Sequence, residues 1–129
     1  MKSLVVSIIV IFAVQTAMAQ ESWTPTEKDI STFEATVQLP DWGPSRQYPH
    51  GHIPTSAEFS RYYAGTISNG HHIISAAFNV AYSPANAIVH MVSTPRDFPV
   101  IMDGGCHYLH LQYDVDTNSV LSVTCNGLG

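Results

Sequence analysis

Positive charge is what this chain has least of. Five Lys and Arg stand against ten Asp and Glu, and only 12% of residues are charged. The formal net charge is −5 with histidine neutral. So few cations exclude a nucleic-acid partner and an anionic membrane surface as partners held by charge. Cysteine is scarce too, with two in 129 residues. The N-terminal apolar run, residues 4–14, is interrupted only by Ser7. It is shorter than the about 20 residues a membrane-spanning helix needs. The sequence has no G-x-S-x-G elbow, no H-E-x-x-H, no phosphate-binding glycine loop and no dinucleotide fingerprint. It also has no internal repeat and no low-complexity tract. These absences leave an acidic chain without a signature of catalysis, and the expectation is a non-enzymatic domain.

What is present begins with a compartment. Met1-Lys2 gives a short basic start, residues 4–14 an apolar stretch, and Ala17-Met18-Ala19 a small-x-small cleavage pattern. Together they predict a signal peptide over residues 1–19, an exported protein (periplasmic or extracellular), and a single domain over residues 20–129. Removal of Lys2 makes that domain more acidic still. In an oxidising compartment two cysteines pair more often than they stay free. A Cys106–Cys125 disulfide is therefore expected across the C-terminal hairpin.

The pattern predicts one helix and about five strands. Thr24-Pro25-Thr26-Glu27 offers a cap, a proline in the first helical position and a glutamate three residues after the cap. Ile30, Phe33 and Val37 recur at helical spacing, so the helix is predicted over residues 25–38. Strands are predicted over residues 58–67, 71–82, 88–93, 107–115 and 119–125, with Asn69-Gly70 as a tight hairpin turn. In the second strand Ile74, Ala76, Phe78, Val80 and Tyr82 share one face with His72, and His71, Ser75 and Asn79 lie on the other; in the fourth, Leu109, Leu111, Tyr113 and Val115 point one way and Tyr108, His110 and Gln112 the other. In the fifth, Leu121 and Val123 lie beside Cys125. The expected fold is α+β: one N-terminal helix packed on a four- to five-stranded, mostly antiparallel sheet whose other face is partly solvated.

Arg61-Tyr62-Tyr63-Ala64-Gly65, Asn69-Gly70, Asp103-Gly104-Gly105-Cys106 and Cys125-Asn126-Gly127 resemble a group of small, functionally uncharacterised, signal-bearing proteins of Gram-negative bacteria. Those proteins end in a similar D-G-G-C…C-N-G pattern. The resemblance runs from Arg61 to the C-terminal residues and implies export and a shared hairpin, but no activity. The layout also looks like cystatin-type and β-lactamase-inhibitor-protein-type domains. The cystatin Q-x-V-x-G motif is absent, so that likeness concerns fold alone.

Two proline-rich connections, residues 40–56 and 94–105, interrupt this scaffold. They carry Trp42, Tyr48, Phe98 and Asp103, residue types suited to partner contacts on loops. The main reading is a non-catalytic binding or inhibitor-like domain with a protein or small-molecule partner and no cofactor. One alternative is a metal-binding protein. The chain has seven histidines, and His71, His90 and His110 could bind zinc or copper if their strands are neighbours. A small pocket enzyme of unknown chemistry is the other alternative.

Overall fold

In the computed structural model, which describes residues 21–41 and 53–127, the Asn-Gly turn organises the sheet. Asn69 (φ 51°) and Gly70 (φ 78°) both adopt left-handed backbone. A two-residue hairpin turn needs that conformation, and these two residue types take it with little strain. The turn joins β1 (Phe59–Ser68) to β2 (His71–Val80), antiparallel from Phe59 opposite Val80 to Ser68 opposite His71. β3 (Val89–Met91), β4 (Tyr108–Asp114) and β5 (Ser119–Cys125) complete a five-stranded sheet in the order β3-β1-β2-β4-β5.

The fold is α+β, but the sheet is mixed, which corrects the expectation of a mostly antiparallel one. β3 runs parallel to β1. After β2 the chain turns through Pro84–Asn86 and takes the free edge of β1. There Arg61 N donates to Ile88 O (2.9 Å) and Val92 N to Tyr63 O (2.9 Å). β2 also ends earlier than predicted, at Val80, so Tyr82 lies beyond the strand and is 67% exposed.

The helix α1 (Glu27–Thr36) is shorter than predicted, and its cap is Thr26, not Thr24. Thr26 N donates to Asp29 Oδ2 (2.8 Å) and Asp29 N to Thr26 Oγ1 (3.1 Å). This reciprocal pair satisfies two of the donors that a helix start leaves open. The preceding residues run across β1 instead of coiling. Ser22 pairs with Thr66, and Ile67 N donates to Glu21 O (3.2 Å). Trp23 and Pro25 pass directly over Gly65, where a side chain would have no room.

Helix α1 lays Ile30 and Phe33 on the face formed by Phe59, Tyr63, Ile74, Phe78, Leu109 and Leu111. Phe33 is the plug: its ring centre lies 5.1 Å from that of Tyr113, 6.1 Å from Tyr63 and 6.2 Å from Phe78. Such aromatic clusters bury much apolar area and hold one geometry. The faces of β2 and β4 follow the alternation read from the sequence, but β5 does not. A bulge lies where Gln112 pairs with Ser122 and Tyr113 with Val120, leaving Leu121 as the extra residue. Leu121 is therefore 52% exposed, while Val123 and Cys125 still pack against the core.

The second face is covered at its centre, not merely solvated. Ile73, Ser75 and Ala77 point away from α1 yet are buried. Residues 92–107 connect β3, at one edge, to β4, on the far side of β1 and β2. To make that connection they cross this second face.

Candidate functional site

The crossover is a strap tied to the scaffold at successive points. Pro95–Asp97 forms a short 3₁₀ turn capped by Thr94, whose Oγ1 accepts from Arg96 N (2.9 Å). From Phe98 the chain passes over the sheet to a bend at Met102. The Tyr108 hydroxyl donates to the Pro99 carbonyl. Burial, followed by the nearby Tyr62, pushes the Tyr108 phenol above its ordinary value, so it stays a donor at neutral pH. The Asn126 amide then makes two bonds at once, with Nδ2 donating to Ile101 O (2.6 Å) and to Asp103 O (2.8 Å). Gly104 (φ 106°) and Gly105 (φ 54°) turn the chain back, and Asn126 N donates to Gly105 O (3.1 Å). Cys106 closes the anchor through its disulfide to Cys125, with Cα atoms 4.5 Å apart. The Cys106–Cys125 expectation is met.

Between strap and sheet lies a cleft of about 600 Å³. Its floor is a polar row across three strands, Ser75, Gln112 and Ser122, with Tyr108 and His110 beside it. Phe98 and Arg96 line the strap side. The volume falls in the range of ordinary ligand pockets. Along the strap, Val100, at the rim of the cleft, is 86% exposed and Met102 is 87% exposed.

Phe98 thus lines the cleft, and Asp103 supplies a carbonyl to the Asn126 brace with its side chain exposed. Trp42 and Tyr48, as well as His50 and His52, lie outside the described residues. Sequence reasoning missed Asn126, Val100 and Met102. The Cys125-Asn126-Gly127 pattern carried a signal for Asn126, but nothing in it told that the amide would reach back to residues 101 and 103.

The three histidines considered for a metal occupy one face without converging. His90, Tyr62, Ala77 and His110 form one cross-strand row. Two strands separate the histidines, so their backbones stand about 14 Å apart at ordinary strand spacing. His71 lies six residues along β2 from that row, about 20 Å away. One ion cannot bridge these distances. His90 stacks on Tyr62 (centroids 4.4 Å) and His110 meets Tyr108 edge-on (4.8 Å).

His71 has carboxylate neighbours instead. Its Nδ1 is 2.7 Å from Asp114 Oδ2, and the ligand-type atoms of His71, Asp114 and Asp116 lie within 4.8 Å of one another. Both carboxylates brace the β4–β5 turn. Asp114 Oδ1 accepts from Asp116 N (2.9 Å) and Thr117 N (3.2 Å), and Asp116 Oδ2 accepts from His72 N (2.7 Å). Burial alone would raise the Asp114 carboxyl, but the His71 bond and those turn amides outweigh it and hold it below the usual value. The Asp116 carboxyl is lowered by the His72 amide and then by the His72 ring.

Among the described residues no helix is long and apolar enough to cross a membrane. Comparison with protein-family models, with characterised proteins and with solved structures found no match for this chain.

Proposed function

We propose that the chain is an exported, non-catalytic binding domain that engages a protein partner through the strap over residues 98–104. The observation that carries this reading is the combination of exposure and bracing. Val100 and Met102 present two apolar side chains almost wholly to solvent. They sit on backbone held at Pro99, Ile101 and Asp103 and anchored by a disulfide. Exposed apolar side chains gain nothing for the isolated domain, and clusters of them mark contact surfaces. Bracing reduces the ordering a loop must undergo on association, which strengthens binding without added area.

Export is supported by the signal-like residues 1–19 and by the disulfide. The likeness to cystatin-type and β-lactamase-inhibitor-protein-type domains rests on a mostly antiparallel sheet, which the parallel β3 departs from, and it carries no role. The acidic balance favours a protein or small-molecule partner over a polyanion.

A capture experiment tests the reading. Protein produced from the full chain is compared with a Val100→Ser, Met102→Ser double variant shown by circular dichroism to be folded. Extracts of the exported fraction are passed over both. A partner retained by the first and lost by the second is the expected result. Equal capture by the two proteins removes the strap as the contact, and substrate turnover by the purified protein overturns the non-catalytic reading.

A further inference from the structure

We propose that the strap is a substrate-like inhibitory loop for an endopeptidase that works through an acyl-enzyme and takes an apolar side chain, with Met102 as the residue it reads and Met102–Asp103 as the bond it addresses. The proposal rests on the binding reading above and names the chemistry of the partner. An endopeptidase takes one side chain of its substrate into a pocket beside the bond to be cut. The strap offers such a side chain at Met102, where the backbone bends. Met102 is 87% exposed and does not line the cleft, while Val100 and Ile101 before it do, Ile101 half-buried. Methionine is unbranched and polarizable, which suits an apolar pocket of varied shape. Gly104 and Gly105, both at positive φ, turn the chain away immediately after Asp103.

The decisive feature is the Asn126 amide. It holds the carbonyls on either side of Met102, at residues 101 and 103, from beneath. The peptide bond between Met102 and Asp103 is thus suspended between two fixed points. In an ordinary substrate, attack on the Met102 carbonyl carbon breaks that bond and the new amine leaves. Here the amine would belong to Asp103. Its chain stays bound through the Asp103 carbonyl to Asn126, through the Gly105 carbonyl to Asn126 N, and through the disulfide at Cys106. The acyl side stays bound through Ile101 to Asn126 and through Pro99 to Tyr108.

With both ends held, the amine remains at high effective concentration beside the acyl-enzyme. Re-formation of the peptide bond, which releases the enzyme's nucleophile, then outruns addition of water. A loop already in its bound shape also loses little entropy on docking. The enzyme is held by a substrate that it cannot release as product.

The test uses the full chain against chymotrypsin, elastase, subtilisin and papain, with trypsin as an enzyme whose pocket takes a basic side chain. At least one of the first four should be inhibited with a constant of about 1 μM or tighter, equivalent to roughly 8 kcal/mol of binding, and trypsin should not. Met102→Lys, a change at an 87% exposed side chain that leaves the core untouched, should weaken that inhibition about 100-fold and create inhibition of trypsin. Asn126→Ala, checked for fold and an intact disulfide, should turn the inhibitor into a substrate cut between residues 102 and 103, as read by mass spectrometry. Rapid cleavage of the unaltered protein, or inhibition that Met102→Lys does not alter, overturns the proposal. So does no inhibition of any of the four enzymes at 100-fold the stated constant, about 100 μM. If inhibition is absent while the Val100, Met102 double variant still loses its partner in capture, the binding reading stands and the endopeptidase reading falls.

Discussion

Gly65 shows how much a single residue sets here. It lies on the core face of β1, opposite Ile74. A Cβ built there would meet Trp23 O at 2.0 Å, with Pro25 Cδ and Trp23 Cε3 each at 2.8 Å. The nearest obstacle is backbone, so no side-chain rotation relieves it. Glycine is required because the segment leading into α1 lies against the strand, and that contact fixes where the helix begins. Gly65→Ala should therefore lower stability by about 2–3 kcal/mol, in the range of forced overpacking. Urea unfolding should show a lower midpoint with an unchanged slope, because the area exposed on unfolding stays the same. A variant with the midpoint of the parent protein would show that residues 23–25 are not held against β1. Tyr63, two pairs along β1 on the same face, makes a different point. Its hydroxyl donates to Glu34 on α1, and burial and then that carboxylate push the phenol far above its ordinary value. Glu34 Oε1 also accepts from Arg61 Nη1 (2.7 Å), so helix and sheet are joined by a polar network as well as by Phe33.

At the scale of elements, the disulfide ties together the start of β4, the end of β5 and the foot of the strap. Its two cysteines are separated by 19 positions, and closing such a loop removes about 3 kcal/mol of unfolded-chain entropy in the loop-closure account. A Cys106→Ala, Cys125→Ala variant should lose about that amount by urea unfolding. Its amide exchange should quicken most at residues 99–105, since Asn126 follows Cys125 and holds the strap. Uniform exchange across β2 and the strap would separate the disulfide from the brace. The elements themselves were largely legible in the sequence, for local reasons. Asn69-Gly70 specifies its own turn, and the 3.6-residue and two-residue periods of α1, β2 and β4 are set by which side chains they bury. What escaped was non-local. β3 is three residues long, too short for its sequence to show which edge it joins. The bulge at Leu121 has no signature, because Val120, Leu121 and Val123 read as good strand residues in either register. The Asn126 brace needs the crossover to pass within reach of β5, which only the strand order decides. The same strand order separates His90 from His110, and the histidine pattern could not reveal it.

Across the whole molecule, the sheet is layered between α1 on one face and the strap on the other, and the two ends of the sheet carry different chemistry. The strap and its disulfide occupy the end where β4 begins and β5 finishes. The opposite end, where β4 passes into β5, is held by carboxylates: Asp114 with His71 and the turn amides, and Asp116 with His72. Both carboxyls are held below their usual values. A carboxylate whose folded value lies below its unfolded one stabilises the fold above the unfolded value, about 3.9. That contribution is lost as pH falls through the folded value. These two groups therefore leave stability level as pH falls from 7 to 5 and withdraw it below about pH 4. Asp114→Asn isolates the effect. An Asn side-chain oxygen can still accept from the amides of Asp116 and Thr117, so the turn keeps its shape, while the charge facing His71 is gone. The variant should be less stable than the parent at pH 7, and the gap should narrow once pH falls below the unfolded value, about 3.9, toward the lower folded value. Urea midpoints for both proteins at pH 7, 5, 4 and 3 measure this. A gap of the same size at every pH would mean that the shape of Asp114, and not its charge, holds this end of the sheet. In that case the acid sensitivity of the fold has to originate elsewhere.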